Sequence, residues 1–250
     1  MKKKKTYWLY PLLMMGFALT FTTGCKKSDS STTNPPPAGG TVTDIDGNVY
    51  HTVTLGTQVW LVENLRVTHY RNGDPVATAM MKSSDFYLTD STGRIYDYNS
   101  NPDNSKVYGK LYNWYALTNA HTLAPDGCHV PSDAEWYALS AYLNTKYGTA
   151  LSPDYGGIGG VLKETGTTHW KTPNTGATNA SGFSALPGGS YYNSAFSGLG
   201  SIAFFWTSTQ VGTGLNQPAA WCVNLNFDGI VAYRANPIKQ YGMSVRCLKD

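Results

Sequence analysis

Only one stretch of this 250-residue sequence carries a sustained helical hydrophobic period behind a complete start signal. Ser132-Asp133-Ala134-Glu135 spells a capping box: the serine hydroxyl takes the backbone N–H three residues on, and the glutamate reaches back to the serine N–H. Trp136, Leu139 and Leu143 then share one helical face, which predicts a helix over 133–144. A shorter helix is expected over 160–165, after the tight glycine turn at 156–160. One long helix in such a chain excludes a helical bundle, so most of the core has to come from strands. The composition agrees. Charged residues make up 14%, against the roughly 25% usual for soluble domains, while 26 Gly, 18 Tyr and 7 Trp favour short strands, turns and an aromatic core.

The strands begin at Thr41, where apolar and polar residues alternate and place Val49, Val53 and Leu55 on one side. Gly56-Thr57-Gln58 reads as a tight turn into a second strand over 59–65. Asp44-Ile45-Asp46-Gly47-Asn48 resembles the opening of a calcium loop, but the twelfth position counted from Asp44 is Leu55, which cannot supply the bidentate acid. The segment is therefore read as a turn. Residues 67–106 show no lasting period and are expected to form long loops with short strands. Further strands are expected around 183–186, 202–207, 220–225, 230–233 and 243–248, with Phe227-Asp228-Gly229 as a hairpin turn. The predicted class is α+β.

The start of the chain carries an address. Lys2 to Lys5 precede an uncharged apolar run from Trp8 to Phe21, and Thr22-Thr23-Gly24-Cys25 resembles a bacterial lipobox, with Thr22 where Leu is usual. The expectation is a lipoprotein signal peptide over 1–24 and a diacylated Cys25 that partners the membrane. Plain secretion and an uncleaved anchor are the alternatives, and Pro11 with the small polar tail argues against the anchor. Residues 25–40, which include SSTTNPPPAGG, form a polar tether, and 41–250 form the folded domain. The expected location is the cell envelope, as an outer-membrane lipoprotein; Lys26, Lys27 and Asp29 are similar to the surface-export signals of Bacteroidetes-type lipoproteins, though those carry more acids than the single Asp29, so the leaflet is left open. The formal charge of +3 owes four positive charges to the leading lysines; from Cys25 onward 15 basic residues meet 16 acidic ones, a net −1. That balance gives no electrostatic case for nucleic acid.

The blocks QVWLVENLRVTHYRNGDPV, YGKLYNWYAL, HVPSDAEWYALSAYL, VLKETGTTHW, GFSALPGGSY, FFWTST and SVRCLKD occur in this order. Together they resemble the Fibrobacter succinogenes major paralogous domain over about Thr41 to Asp250. The resemblance implies a C-type-lectin-like fold with short antiparallel strands, one main helix and long irregular loops. That fold is shared with the formylglycine-generating, sulfatase-modifying enzymes, whose own HVPSDAEW-like and SVRC-like blocks are similar. The chain departs from the family at Cys128, where Trp is usual after the glycine, and at Ala124, where many members carry cysteine.

Besides Cys25, the cysteines are Cys128, Cys222 and Cys247. In an oxidising compartment one disulfide and one remaining thiol are expected. Three pairings are open. The resemblance favours Cys128 with Cys222, since both stand where relatives more often have aromatics, while Cys247 with either partner would fasten the terminal strand. A catalytic cysteine of the formylglycine-generating type needs a second cysteine in the same loop, and no close pair exists. His51, His69, His121, His129 and His169 are dispersed without zinc-site spacing, so neither metal nor cofactor is expected. Gly182-Phe183-Ser184-Ala185-Leu186 lacks the last glycine of a nucleophile elbow, and Asp133 with Glu135 is read as helix-start chemistry. Gln217-Pro218-Ala219 lacks the acid of a calcium-dependent lectin triplet. Tyr191, Tyr192 and Phe196, in GGSYYNSAFSGLG, are the candidate ligand-binding rings, with core filling as their alternative role. The expected function is a non-catalytic binding or structural module for glycans or cell-surface partners; the alternative is an enzyme of the formylglycine-generating type.

Overall fold

A computed structural model describes residues 39–80, 90–150, 154–212 and 218–250. The expected signal peptide, the lipidated Cys25, the tether as far as residue 38 and Gln217 lie outside the described residues.

In chain order the first half contains β1 (Thr41–Thr43), β2 (Val49–Leu55), β3 (Gln58–Leu61), β4 (Ile95–Tyr96), α1 (Pro102–Tyr108), β5 (Leu111–Tyr112), α2 (Trp114–Leu117), β6 (Cys128–His129) and α3 (Asp133–Tyr147). The second half contains α4 (Gly159–Leu162), β7 (Ser190–Tyr192), β8 (Ala195–Ser197), β9 (Ile202–Gln210), β10 (Ala220–Asn226), β11 (Ala232–Ala235) and β12 (Leu248–Lys249). The strands form a five-stranded sheet ordered β1-β2-β3-β12-β6, a three-stranded sheet ordered β11-β10-β9, and the pairs β4-β5 and β7-β8. Every named pairing is antiparallel. Small antiparallel sheets with four helices among the described residues make the class α+β, as the periodicity predicts.

The turn before β2 is written by one side chain. Asp44 Oδ1 accepts the backbone N–H groups of Asp46 and Asn48 at 3.0 and 2.9 Å, and its Oδ2 accepts the Tyr50 hydroxyl at 2.6 Å. This is Asx-turn chemistry. Within β2, Tyr50 and Thr52 are buried on one side and Val53 and Leu55 on the other, so the strand is covered on both faces; Val49, expected inside, is exposed.

Helix α3 starts on the capping box: Ser132 Oγ accepts the Glu135 N–H at 3.2 Å, and Glu135 Oε2 accepts the Ser132 N–H at 2.7 Å. It runs three residues beyond the expected end, to Tyr147, and is closed by Gly148, whose φ of 66° is the left-handed conformation glycine permits. Its start is clamped to β11, since Asp133 receives Arg234 through Nε at 2.8 Å and Nη2 at 2.6 Å. Its inner face carries Trp136 into a ring cluster, with centroids 4.8 Å from Trp60 and 5.6 Å from both Phe183 and Phe205.

Several expectations are corrected. Helix α1 replaces part of the loop expected over 67–106: Pro102 occupies its first turn, and the Asn101 side chain accepts the Asp103 N–H. The expected 160–165 helix is the four-residue α4, and β3 ends at Leu61 rather than 65. No strand forms over 183–186, where Ser184 has φ of 52° and Ala185 makes one parallel bridge to Lys163. The expected 230–233 strand is shifted to Ala232–Ala235. The 243–248 segment spreads its partners over several neighbours: Met243 bridges Tyr112, Ser244 bridges Phe205, the Val245 and Cys247 carbonyls accept the Leu65 and Leu61 N–H groups, and only Leu248–Lys249 counts as a strand.

Two cations sit inside this framework. Lys163 is wholly buried, and its Nζ donates to the carbonyls of Thr175, Asn226 and Gly229 at 2.9, 3.0 and 2.9 Å, which uses all three of its protons. Arg246, also buried, donates to the carbonyls of Leu61 and Phe183 and to Asn64 Oδ1 at 3.1, 2.7 and 3.0 Å. Both gather carbonyls from loops and from the ends of strands.

Candidate functional site

Cys128, Cys222 and Cys247 are free thiols, all buried. The expected Cys128–Cys222 disulfide is therefore not formed, nor is either pairing with Cys247. Cys128 lies in the five-stranded sheet opposite Lys249, and Cys222 lies in the three-stranded sheet opposite Trp206 and Ala235. All three pack in one apolar cluster as small hydrophobic side chains. Burial pushes Cys222 up to about 12 and raises Cys128 and Cys247 as well. A nucleophilic cysteine needs the opposite shift.

Each histidine faces a carboxylate: His51 with Glu63 at 2.6 Å, His69 with Asp46 at 2.6 Å, His121 with Asp74 at 3.0 Å and His169 with Glu164 at 2.8 Å. His129 lies between two, with Nδ1 2.6 Å from Asp250 and Nε2 2.8 Å from Glu135. Beside His69, the Thr68 hydroxyl donates to Asp46 at 2.8 Å and stands 3.0 Å from His69 Nδ1. A relay from carboxylate through imidazole to hydroxyl needs the two partners on different ring nitrogens. Here Asp46 and Thr68 meet the same one, so the arrangement fixes the ring without activating the hydroxyl. Among the described residues no three His, Cys, Asp or Glu side chains gather as a metal site.

The candidate rings over 188–200 are placed by the hairpin of β7 and β8, in which Tyr191 is opposite Phe196. Tyr191 is fully buried, 4.3 Å from the Tyr96 ring and 4.8 Å from Phe196. That corrects its candidacy as a surface ring. Gly242 explains the depth, because a methyl there would meet Tyr96 at 2.8 Å and the Tyr191 Cβ at 3.0 Å. Phe196 is half-buried, 5.1 Å from Tyr98. Tyr192 is also half-buried and lies parallel to Tyr241, with centroids 4.1 Å apart and planes 10° apart.

The three-stranded sheet adds residues that sequence reasoning missed. Its inner face, with Val223, Phe205, Leu225, Ala203 and Ala232, is buried in the cluster around Trp136. On the other face, Asn224 of β10 is directly opposite Phe204 of β9 and Tyr233 of β11. Directly opposed side chains on antiparallel strands have Cβ atoms about 4.5–5.5 Å apart. Tyr233 is 39% exposed, while Phe204 and Asn224 are half-buried. Phe204 and Tyr241 both cover the cluster that contains Trp206, Cys222 and Met243. A ring, an amide and a second ring thus cross three strands in one row. The two-residue alternation of β9 was visible in the sequence, but the row depends on the register between strands.

Searches of curated proteins and of solved structures return no match. A family model described as the Fibrobacter succinogenes major domain matches residues 53–249, from inside β2 to the last residue of β12. That span includes α3 with its capping box, the three-stranded sheet and the buried Arg246 of the closing SVRC block, and by it the chain belongs to the Fibrobacter succinogenes major domain family.

Proposed function

We propose that this chain is an exported, lipid-anchored, non-catalytic binding module of the cell envelope, with a C-type-lectin-like fold, that engages glycans through the row Phe204, Asn224 and Tyr233. The row itself carries the reading. Flat rings stack on the apolar faces of sugars, and an amide offers both donor and acceptor to sugar hydroxyls. The non-catalytic part is supported by buried thiols whose pKa values move away from reactivity and by the His69 geometry, which does not form a carboxylate–imidazole–hydroxyl relay to Thr68. These observations weigh against the formylglycine-generating alternative, which requires an accessible thiolate. Anchoring rests on the lysine cluster, the apolar run and the Thr-Thr-Gly-Cys ending.

The test is a glycan and cell-wall polysaccharide binding screen with the full chain, followed by Tyr233→Ala and Phe204→Ala. Tyr233→Ala should abolish capture of the selected neutral glycan while moving the melting temperature little. Unchanged capture by both variants rejects the row as the binding surface. Mass spectrometry of the mature N-terminus tests the anchor: a diacylated Cys25 supports it, and an unmodified Cys25 or a retained Met1 counts against it.

A further inference from the structure

A groove of about 450 Å³ is lined by Asp46, Asn48 and Arg66 on one side and by Lys106 and Lys110 of the α1 region on the other. Its volume is within the range of about 300–1,000 Å³ typical of small-ligand sites. A second depression, of about 190 Å³, shares Arg66 and Lys106 as lining residues.

The charges in the groove are unequally satisfied. Lys110 is paired with Asp97 at 2.6 Å, and that carboxylate also accepts the Ser105 hydroxyl. Lys106 reaches Asp103 at 2.7 Å, both side chains being about three-quarters exposed. Asp46 is held by Thr68 and His69. In the second depression Glu63 and Glu164 are engaged by His51 and His169. Arg66 differs. Among the described residues it has no carboxylate partner; its Nη1 and Nη2 lie 3.5 and 3.3 Å from the carbonyls of Lys106 and Val49, and its Nε is buried without a partner. Bonds that long are weak for a charged donor. The Arg66 guanidinium therefore keeps most of its capacity for a bidentate anion.

We propose that this groove binds the carboxylate of a uronic-acid unit in an acidic polysaccharide, with Arg66 forking the carboxylate and Asp46 accepting a hydroxyl. The choice of a hydroxylated acid follows from Asp46: it opposes a purely anionic ligand such as phosphate, but with Oδ2 taken by the Thr68 N–H and hydroxyl and Oδ1 by His69, one lone pair on Oδ1 remains for a hydroxyl donor that a ligand brings beside its carboxylate. Lys106 adds charge at the rim. The choice of a saccharide over an acidic peptide rests on the glycan reading above; the groove itself does not involve the Phe204–Asn224–Tyr233 row.

The experiment titrates the full chain in detergent with a galacturonate oligomer, a neutral galactan of equal length and polyglutamate. The galacturonate oligomer should bind best, and more weakly as salt rises. Arg66→Gln should lower its affinity at least tenfold, and Arg66→Lys should also weaken it, because an ammonium group cannot reproduce the fork. The same titrations are repeated in Tyr233→Ala, which removes the aromatic row, so that glycan binding by the row is separated from binding by the groove. With the row removed by Tyr233→Ala, equal affinity for the neutral galactan, no loss of galacturonate affinity on adding Arg66→Gln, or polyglutamate binding as tight as galacturonate overturns the proposal. If Arg66→Gln does not fold, the exposed Lys106→Gln serves instead: a several-fold loss supports the groove and an unchanged affinity overturns it.

Discussion

Arg246 meets Phe183 twice: its guanidinium carbon lies 4.3 Å from the centre of the Phe183 ring, and its Nη1 donates to the Phe183 carbonyl at 2.7 Å. One side chain thus fixes both the ring and the backbone of a segment that has no strand to hold it. Burial lowers the Arg246 pKa to about 9, with the Glu63 charge opposing that shift. Arg246→Lys keeps a charge but loses the planar fork, and at least one buried acceptor is left unpaired. The expected cost is about 1–3 kcal/mol, read as a lower urea midpoint.

Lys163 should give the domain an alkaline signature. Burial lowers its folded pKa to about 8, below the ordinary 10.5, against a smaller raising effect from Asp228. Between these values the unfolded chain binds more protons than the native one, so this group adds stability as pH rises from about 8 towards 10. Lys163→Met should remove that contribution. Stability curves of the two proteins that stay parallel over this window would rule it out.

His129 should act in the opposite direction. Burial alone would lower its pKa, but hydrogen bonds to Asp250 and Glu135 outweigh burial and raise it above 6.5. Its contribution is complete below pH 6.5 and is lost as pH climbs through the folded value. Glu135 is lowered from 4.5, since the Ser132 and His129 bonds outweigh its own burial, so its contribution is present above 4.5 and lost in acid. His129→Asn should flatten the fall in stability above pH 6.5, as followed by chemical denaturation across a pH series.

At the start of α3, Ser132→Ala removes the cap and should cost about 1 kcal/mol. Trp136→Ala empties the centre of the ring cluster and should cost roughly 3–5 kcal/mol. Equal denaturation midpoints for the two variants would contradict this ordering.

The two adjacent tyrosines should separate cleanly. Tyr191→Ala cuts a cavity beside Tyr96 and Phe196 and should cost about 3–5 kcal/mol. Tyr192→Ala removes a half-buried stacked ring, and its melting temperature should fall by clearly less.

The sequence was most legible where a local signal and a long-range contact agree. The capping box and the 136/139/143 stripe locate α3 because the residues that start the helix are contiguous and the stripe finds the core. β2, β9 and β10 were recognisable because each runs seven or nine residues. Helix α1 was missed although Asn101-Pro102 is a start signal, because its seven residues bury only Ser105 and leave no apolar stripe. Residues 243–248 read as a strand because they alternate; in space their partners belong to different elements, which no local pattern records. The candidate row was illegible for a related reason: Phe204, Asn224 and Tyr233 become neighbours only through register. In the 188–200 segment a hairpin buries Tyr191 and leaves Tyr192 half-buried, which the sequence does not show.

Gly242 carries a consequence for binding thermodynamics. The backbone at Gly242 exchanges both hydrogen bonds with Tyr191 at 2.8 Å and leaves no room for a methyl against Tyr96, so the residues on either side of this contact are anchored from beneath. Tyr192 and Tyr241 are the next residues along each chain segment, and each already limits the rotamers of the other. Any molecule docking at that edge would meet side chains whose conformational entropy was lost on folding, so little further ordering would oppose association.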